Sequence, residues 1–536
     1  MPRAKPAFLG LLALLAIPAA GLAYGTLVHD IMPHAMLAAR RTPDGRTVGT
    51  DVLPGVSDAD LARFRGWLYQ QAAHLADTSL RAAFLRRYPR PNDFTPRAFK
   101  EFLMMDGTAS VLGVDSFATV QRGLGADQGQ DPHPPYVSGA PLPVELGLAI
   151  GNDFVDLDRR NQNRLLRDQR GEPIYTTTGD TIPFDPMTLN MGHLTGLSSQ
   201  AHAHYGFNHD PKSTDPAVLK TRPWDFAVPL AFGDTVRTYA EDNAQLYSDL
   251  SDLAWLEGGH GSGALSVLYA GNAFHYIEDV GNAIHTLQVG LYSFFVDATL
   301  YHAWRRLVTL FGLLGPTPSR NSIGVDIVSN HHLLSEALFQ SELMTALAQD
   351  ARGHADSISP SMTDALRALR EGDPKFRPVL QAAIQDANAH LSPGEPPPIG
   401  AVVAAAVIED GNRDGAEIYR LTRDMGVMRL RRSPAIDFDT IPADQLWQFI
   451  SRPGSAATQR RLAEFNEAQA RGLGRVHDAL NAWWDDYLAL TATPRARRAA
   501  LTERLVDRLV RARLIYLVAA ERRRQAWIAQ HGGVAP

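Results

Sequence analysis

The sequence predicts an all-α protein, and two observations carry that prediction. Apolar residues recur at three- and four-residue spacing along Asp58–Arg87, Asp234–Leu256, Gly263–His285, Ala298–Leu314, Asn330–Gln349 and Ser361–Arg370, which is the period of a helix with one buried face. Strictly alternating runs, the mark of half-buried strands, are scarce. The rest of the composition is ordinary for a globular chain of 536 residues, with 45% hydrophobic and 21% charged residues. A net charge of -6 gives no general reason to coat a nucleic acid.

In chain order, the first element is a targeting signal. Arg3 and Lys5 form a positive start, Ala7–Ile17 is an apolar run, and Gly21-Leu22-Ala23 supplies small residues at the last and third-last positions. This pattern predicts cleavage after Ala23 and export to the periplasm or the medium. The apolar core is short for a membrane span. Residues 1–23 are therefore read as a signal peptide, with a mature chain beginning at Tyr24.

A main domain is expected over 24–391. Its helical segments are separated by two long irregular stretches, near 105–143 and 170–200, of the kind that is functional or disordered in compact domains. Leu287–Leu314 is strongly apolar but interrupted by Asp297, His302, Arg305 and Arg306, so buried core helices are expected rather than a span. An apolar surface that meets lipid is the alternative. Ser392–Ile399, with three consecutive prolines, reads as a stiff boundary. Beyond it, 400–536 is expected to be a helical C-terminal extension of unknown role. Its last helix, from about Arg495 to Gln530, carries Leu501, Leu505, Leu509 and Leu517 along one face, which predicts packing on the body.

There is no cysteine, so disulfides and thiolate metal sites are excluded. A metal would need His, Asp, Glu or a free amino terminus. The densest such run is His275-Tyr-Ile-Glu-Asp279-Val-Gly-Asn-Ala-Ile-His285. On a helix, His275 and Asp279 are four apart and share a face. Gly281 and Asn282 predict that the helix weakens before His285. Two nitrogens and a carboxylate placed this closely suit zinc. His332 and Glu336 repeat the four-residue spacing on a second helix. Three further elements join them: His202-Ala-His204 with His209, the acidic turn Asp153-Phe-Val-Asp156-Leu-Asp158, and the start Tyr24-Gly-Thr-Leu-Val-His29. Asp410-Gly-Asn412-Arg-Asp414-Gly415 begins like a calcium loop but has Leu421 where a bidentate Glu is required, and a polar turn is expected instead.

These five elements, in this order, resemble the zinc-dependent phospholipase C and single-strand-specific nuclease superfamily. The run at 275, 279 and 285 matches the family spacing position by position, and the resemblance extends from Tyr24 to about Phe339. Tyr24 stands where the family usually has Trp, and the Pro common before the last His of the central run is absent.

The resemblance implies a helical phospholipase C/nuclease-like bundle holding three zinc ions. Asp156, His204, His275 and Asp279 would hold one. His285, His332 and Glu336 would hold a second. The amino group and carbonyl of Tyr24, with His29 and the shared carboxylate of Asp279, would hold the third. Asp153 and Asp158 are alternatives to Asp156, His34 to His29, and His202 to His204.

It also implies hydrolysis of a phosphodiester, with Asp156 orienting or deprotonating the attacking water. The central run is closer to the phospholipase branch, so a phospholipid at a membrane surface is the expected substrate, with no obligate protein partner. A single-strand nuclease or nucleotidase is the first alternative. It would want aromatic platforms such as Tyr205, Phe207 or Tyr276 beside the metals. A non-catalytic, zinc-stabilised binding protein is the second.

Overall fold

The computed structural model describes residues 26–38, 40, 51–103, 137–157, 167–168, 206, 240–286, 300, 302–304, 306–308, 320–426, 452–531 and 533–534. Among these residues the chain forms α1 (Thr26–Ala38), α2 (Asp58–Ala73), α3 (Thr78–Arg87), α4 (Pro96–Leu103), α5 (Val144–Leu157), α6 (Ala240–Glu257) and α7 (Ser262–Asp279). It continues with α8 (Arg320–Ala351), α9 (Pro360–Glu371), α10 (Phe376–Ala389), α11 (Ile399–Asp424), α12 (Ala456–Thr491) and α13 (Arg495–His531). Strand is confined to two antiparallel two-residue pairs, Val52–Leu53 with Leu142–Pro143 and Arg167–Asp168 with Gly533–Val534. The fold is all-α, as the apolar periodicity requires.

Local chemistry sets the helix boundaries. Ser57 and Asp60 form a reciprocal capping box at the start of α2. The predicted single run Asp58–Arg87 is in fact two helices. His74 ends α2, and the Asp77 carboxylate restarts the chain by accepting from the backbone N–H groups of Ser79 at 2.9 Å and Leu80 at 3.0 Å. Ser455 caps α12 in the same way, accepting from Thr458 N–H.

The stretch around Asp153–Asp156, expected as a turn, is helical to Leu157 as the continuation of a helix in which Val144, Leu148 and Gly151 form a buried stripe. Asp410–Gly415, also expected as a turn, lies inside α11, where Asp410 and Asp414 are one turn apart and face arginines of α12. Ser392–Ile399 does separate α10 from α11.

Helix α7 is the axis of the molecule. It is buried along nearly its whole length, and α5, α6, α11 and α12 pack around it. A helix apolar on all sides belongs at the centre of a core. Its contact with α5 is unusually close. A Cβ at Gly151 would fall 2.1 Å from the Leu268 carbonyl oxygen, and one at Gly271 would fall 2.2 Å from that of Leu148. Only glycine lets the two backbones approach to this distance. The approach brings Asn152 of α5 against His275 of α7.

The helices beyond Pro398 share the core with those before Leu391. Phe274 meets Trp483 edge to face at 5.0 Å. The Trp483 indole N–H donates to Ser248 Oγ at 2.6 Å, and the Ser266 and Tyr487 hydroxyls are 2.9 Å apart. The C-terminal helices thus cover α6 and α7 directly. Leu505 and Leu509 of α13 are buried, as their stripe predicts.

One expectation fails in the described part of Leu287–Leu314. Leu300, Trp304, Leu307 and Val308 are exposed, from 47% at Val308 to 63% at Leu300. Their spacing gathers them on one helix face, and that face turns away from the core. Among the described residues no helix is long and apolar enough to cross a membrane.

Candidate metal centre

Three ligand-type side chains converge in the interior: His29 from α1, and His275 and Asp279 from α7. All three are at least 96% buried. His275 and Asp279 meet because they are one helical turn apart. His29 reaches them because α1 lies across α5 and α7 with Val28, Ile31 and Met32 buried beneath it. His29 Nε2 lies 3.4 Å from Asp279 Oδ1, and His275 Nε2 lies 3.4 Å from Asp279 Oδ2. The two imidazoles stack with centroids 4.5 Å apart.

Two further buried side chains stand behind them. His29 Nδ1–H donates to Glu278 Oε2 at 2.5 Å. Asn152 donates from Nδ2 to the same Oε2 at 2.8 Å and to the His29 carbonyl oxygen at 3.4 Å. The Asn152 amide thus turns its nitrogen to Glu278 and its oxygen to His275. His275 Nδ1–H accordingly donates to Asn152 Oδ1 at 2.9 Å.

The electrostatics follow from burial. Desolvation opposes a charge on His29, but hydrogen bonds to Asp279 and Glu278 and their negative charge prevail and hold its pKa well above the usual value. Desolvation pushes Glu278 up to about 7, against the lowering effect of His29 and Asn152. Two carboxylates and two imidazoles thus share the centre among the described residues, and the carboxylates favour a proton or a cation beside them.

A second constellation lies past the end of α7. The helix stops at Asp279, and Ala283–His285 form a 3-10 turn, as Gly281 and Asn282 predict. The turn is clamped from outside. A Cβ at Gly472 of α12 would fall 2.1 Å from the Gly281 carbonyl oxygen. The turn carries His285 to α8, where Nε2 meets Glu336 Oε1 at 2.8 Å, both groups buried. The His285 carbonyl accepts from the buried Gly206 N–H at 2.9 Å.

Of the remaining candidates, Tyr24, Asp158, His202 and His204 lie outside the described residues. Asp153 and Asp156 are on α5 and His332 is on α8, but their side chains also lie outside the described residues. Asp156 occupies the position one turn beyond Asn152. His34 does not join the centre and pairs with Glu145 instead. Asn152 and Glu278 escaped the sequence reading. Glu278 was detectable in principle, since it is three residues from His275 and therefore on the same helix face. No local signal marks Asn152.

Compared with protein-family models, with curated proteins and with solved structures, the chain matches none.

Proposed function

We propose that this protein is an exported, zinc-dependent phosphodiesterase of the phospholipase C type, built around His29, His275 and Asp279. The observation that carries the reading is the convergence of two Nε2 atoms, from segments some 250 residues apart, on the two oxygens of one buried carboxylate. The donor set suits the metal. Two ligands bonded at about 2.0–2.1 Å in a tetrahedron stand roughly 3.4 Å from each other, which is the separation found here. Nitrogen and carboxylate donors without sulfur are a normal zinc set.

Zinc bound here would supply Lewis acidity toward a phosphodiester anion and an attacking water. The chain's own residues do the rest. Asp279, with one oxygen toward each histidine, is placed to serve more than one ion. His285 and Glu336 form the second pair of the proposed cluster. Asp156, by family resemblance, orients the water or takes its proton. The enclosing helices exclude bulk water, which strengthens every charge interaction inside.

Phospholipid is preferred over single-stranded nucleic acid because the central run from His275 to His285 resembles the phospholipase branch. Of the candidate stacking platforms, Tyr276 is fully buried and stacked on Tyr247 at 5.9 Å and 7°, so it offers no face to a base, and Tyr205 and Phe207 lie outside the described residues.

The test is metal content of the purified protein, with phosphatidylcholine and single-stranded DNA hydrolysis assayed side by side. Bound zinc with diglyceride release, abolished in His275→Ala, is the expected result. Cleavage of DNA alone would move the protein to the nuclease branch. No zinc after reconstitution would overturn the reading.

A further inference from the structure

We infer that Asn152 and Glu278 act as one outer hydrogen-bonded unit that fixes which ring nitrogen of both His29 and His275 faces the ion, with Glu278 also supplying a second buried negative charge beside Asp279. Neither residue is a ligand in this assignment; both are positioning residues. The inference rests on the metal-centre part of the proposed function and does not depend on the substrate.

The geometry leaves the unit little freedom. Glu278 Oε2 receives two donors, the His29 Nδ1–H at 2.5 Å and the Asn152 amide at 2.8 Å. The first pins the His29 proton to Nδ1 and leaves Nε2 toward Asp279. The second locks the Asn152 amide, and its oxygen then pins the His275 proton to Nδ1 at 2.9 Å. Both imidazoles consequently present Nε2 to the same carboxylate, each at 3.4 Å. A single carboxylate oxygen therefore sets two tautomers, one directly and one through an amide. Outer partners of this kind orient ligating histidines and raise their basicity.

The unit also joins three helices. The Asn152 amide reaches the His29 carbonyl oxygen at 3.4 Å, so α5 holds both the backbone of α1 and the ring of α7. Placement of His29 is thereby coupled to placement of His275. With a divalent ion in place both imidazoles would be neutral, and Asp279 and Glu278 would supply the negative charge that balances it.

Tautomer control and charge are separable by substitution. Glu278→Gln can place its amide oxygen where Oε2 now stands and keep both hydrogen bonds while losing the charge. Asn152→Leu keeps the volume and loses the link to His275. The experiment uses the full chain labelled with 15N-histidine. Ring-nitrogen shifts report tautomers, chelator competition reports zinc affinity, and far-UV circular dichroism reports folding.

Zinc-loaded wild type should show both rings protonated at Nδ1. Glu278→Gln should retain that signature and bind zinc about 10- to 100-fold more weakly. Asn152→Leu should lose the His275 signature with a similar loss of affinity. Unchanged affinity in both folded variants would overturn the inference while leaving the metal centre intact. Failure of wild type to bind zinc would instead overturn the metal-centre reading. Should Asn152→Leu fail to fold, the isosteric Glu278→Gln still decides the charge component.

Discussion

Two buried polar clusters in this molecule are built from similar residues and solve the cost of burial in opposite ways. Between α11 and α12, Asp414 meets two guanidinium groups, Arg471 at 2.7 Å and Arg475 at 2.5 Å, and Arg475 also reaches Asp410 at 2.5 Å. That seam carries its own counter-charges. In the centre around α7, Glu278 meets an imidazole and an amide. Buried charge is expensive unless paired. A seam that pairs its carboxylates with permanently charged guanidinium groups is structural, whereas a centre that pairs carboxylates with titratable imidazoles can take up a charge from outside.

The sharpest way to break this comparison is to remove one aspartate from each cluster. Asp414→Ala leaves the buried Arg475 with Asp410 as its remaining carboxylate and should cost about 1–3 kcal/mol in urea unfolding, with zinc content of the folded protein unchanged. Asp279→Ala should show the reverse pattern, losing zinc with a much smaller change in the stability of the metal-free protein. Equal destabilisation without any effect on zinc at Asp279 would erase the distinction between the clusters.

A third acidic site, where α6, α12 and α13 meet, sharpens it. Burial pushes Asp486 up to about 6, opposed in part by Arg508. Burial, reinforced by Asp486 and Asp249, raises Asp252 well above its ordinary value, again against Arg508. A carboxyl whose pKa is raised by folding favours the native state while protonated. That contribution is complete below about pH 4 and is lost as pH rises toward about 6. Asp486→Asn should therefore stabilise the protein on the order of 1–2 kcal/mol at pH 7 and by little at pH 4. Thermal unfolding across that range checks both the size and the direction.

The smallest effect is expected at His34, whose Glu145 partner is about one-third exposed. Glu145→Gln should change stability by less than about 1 kcal/mol and leave zinc affinity untouched. A large loss of zinc in this variant would mean that His34, and not His29, completes the centre.

How much of this was legible in the sequence depends on the distance over which each signal acts. Asp77, one turn from two unsatisfied N–H groups, decides a helix start within three residues. His275 and Asp279 face one another through helix geometry alone. The Asp410–Gly415 segment misled for the same reason. Its turn-forming residues outweigh the weak local helix signal, and only the α12 arginines, some 60 residues away, explain why it is helical. The apolar run ending at Val308 shows a similar limit. Periodicity reveals a stripe but not the direction in which it faces.

The sequence by itself determined the helical class, most helix positions, the exclusion of sulfur ligands and the pairing of His275 with Asp279, because each depends on neighbours along the chain. Tertiary structure alone decided that His29 rather than His34 approaches Asp279, that Asn152 stands behind His275, and that Glu278 turns inward to hold them both. Those outcomes hinge on how closely α1 and α5 pack against α7. The spacing of α5 and α7 is set by the backbone contact at Gly151 and Gly271, where two stretches more than a hundred residues apart must fit each other before either shows what it is for.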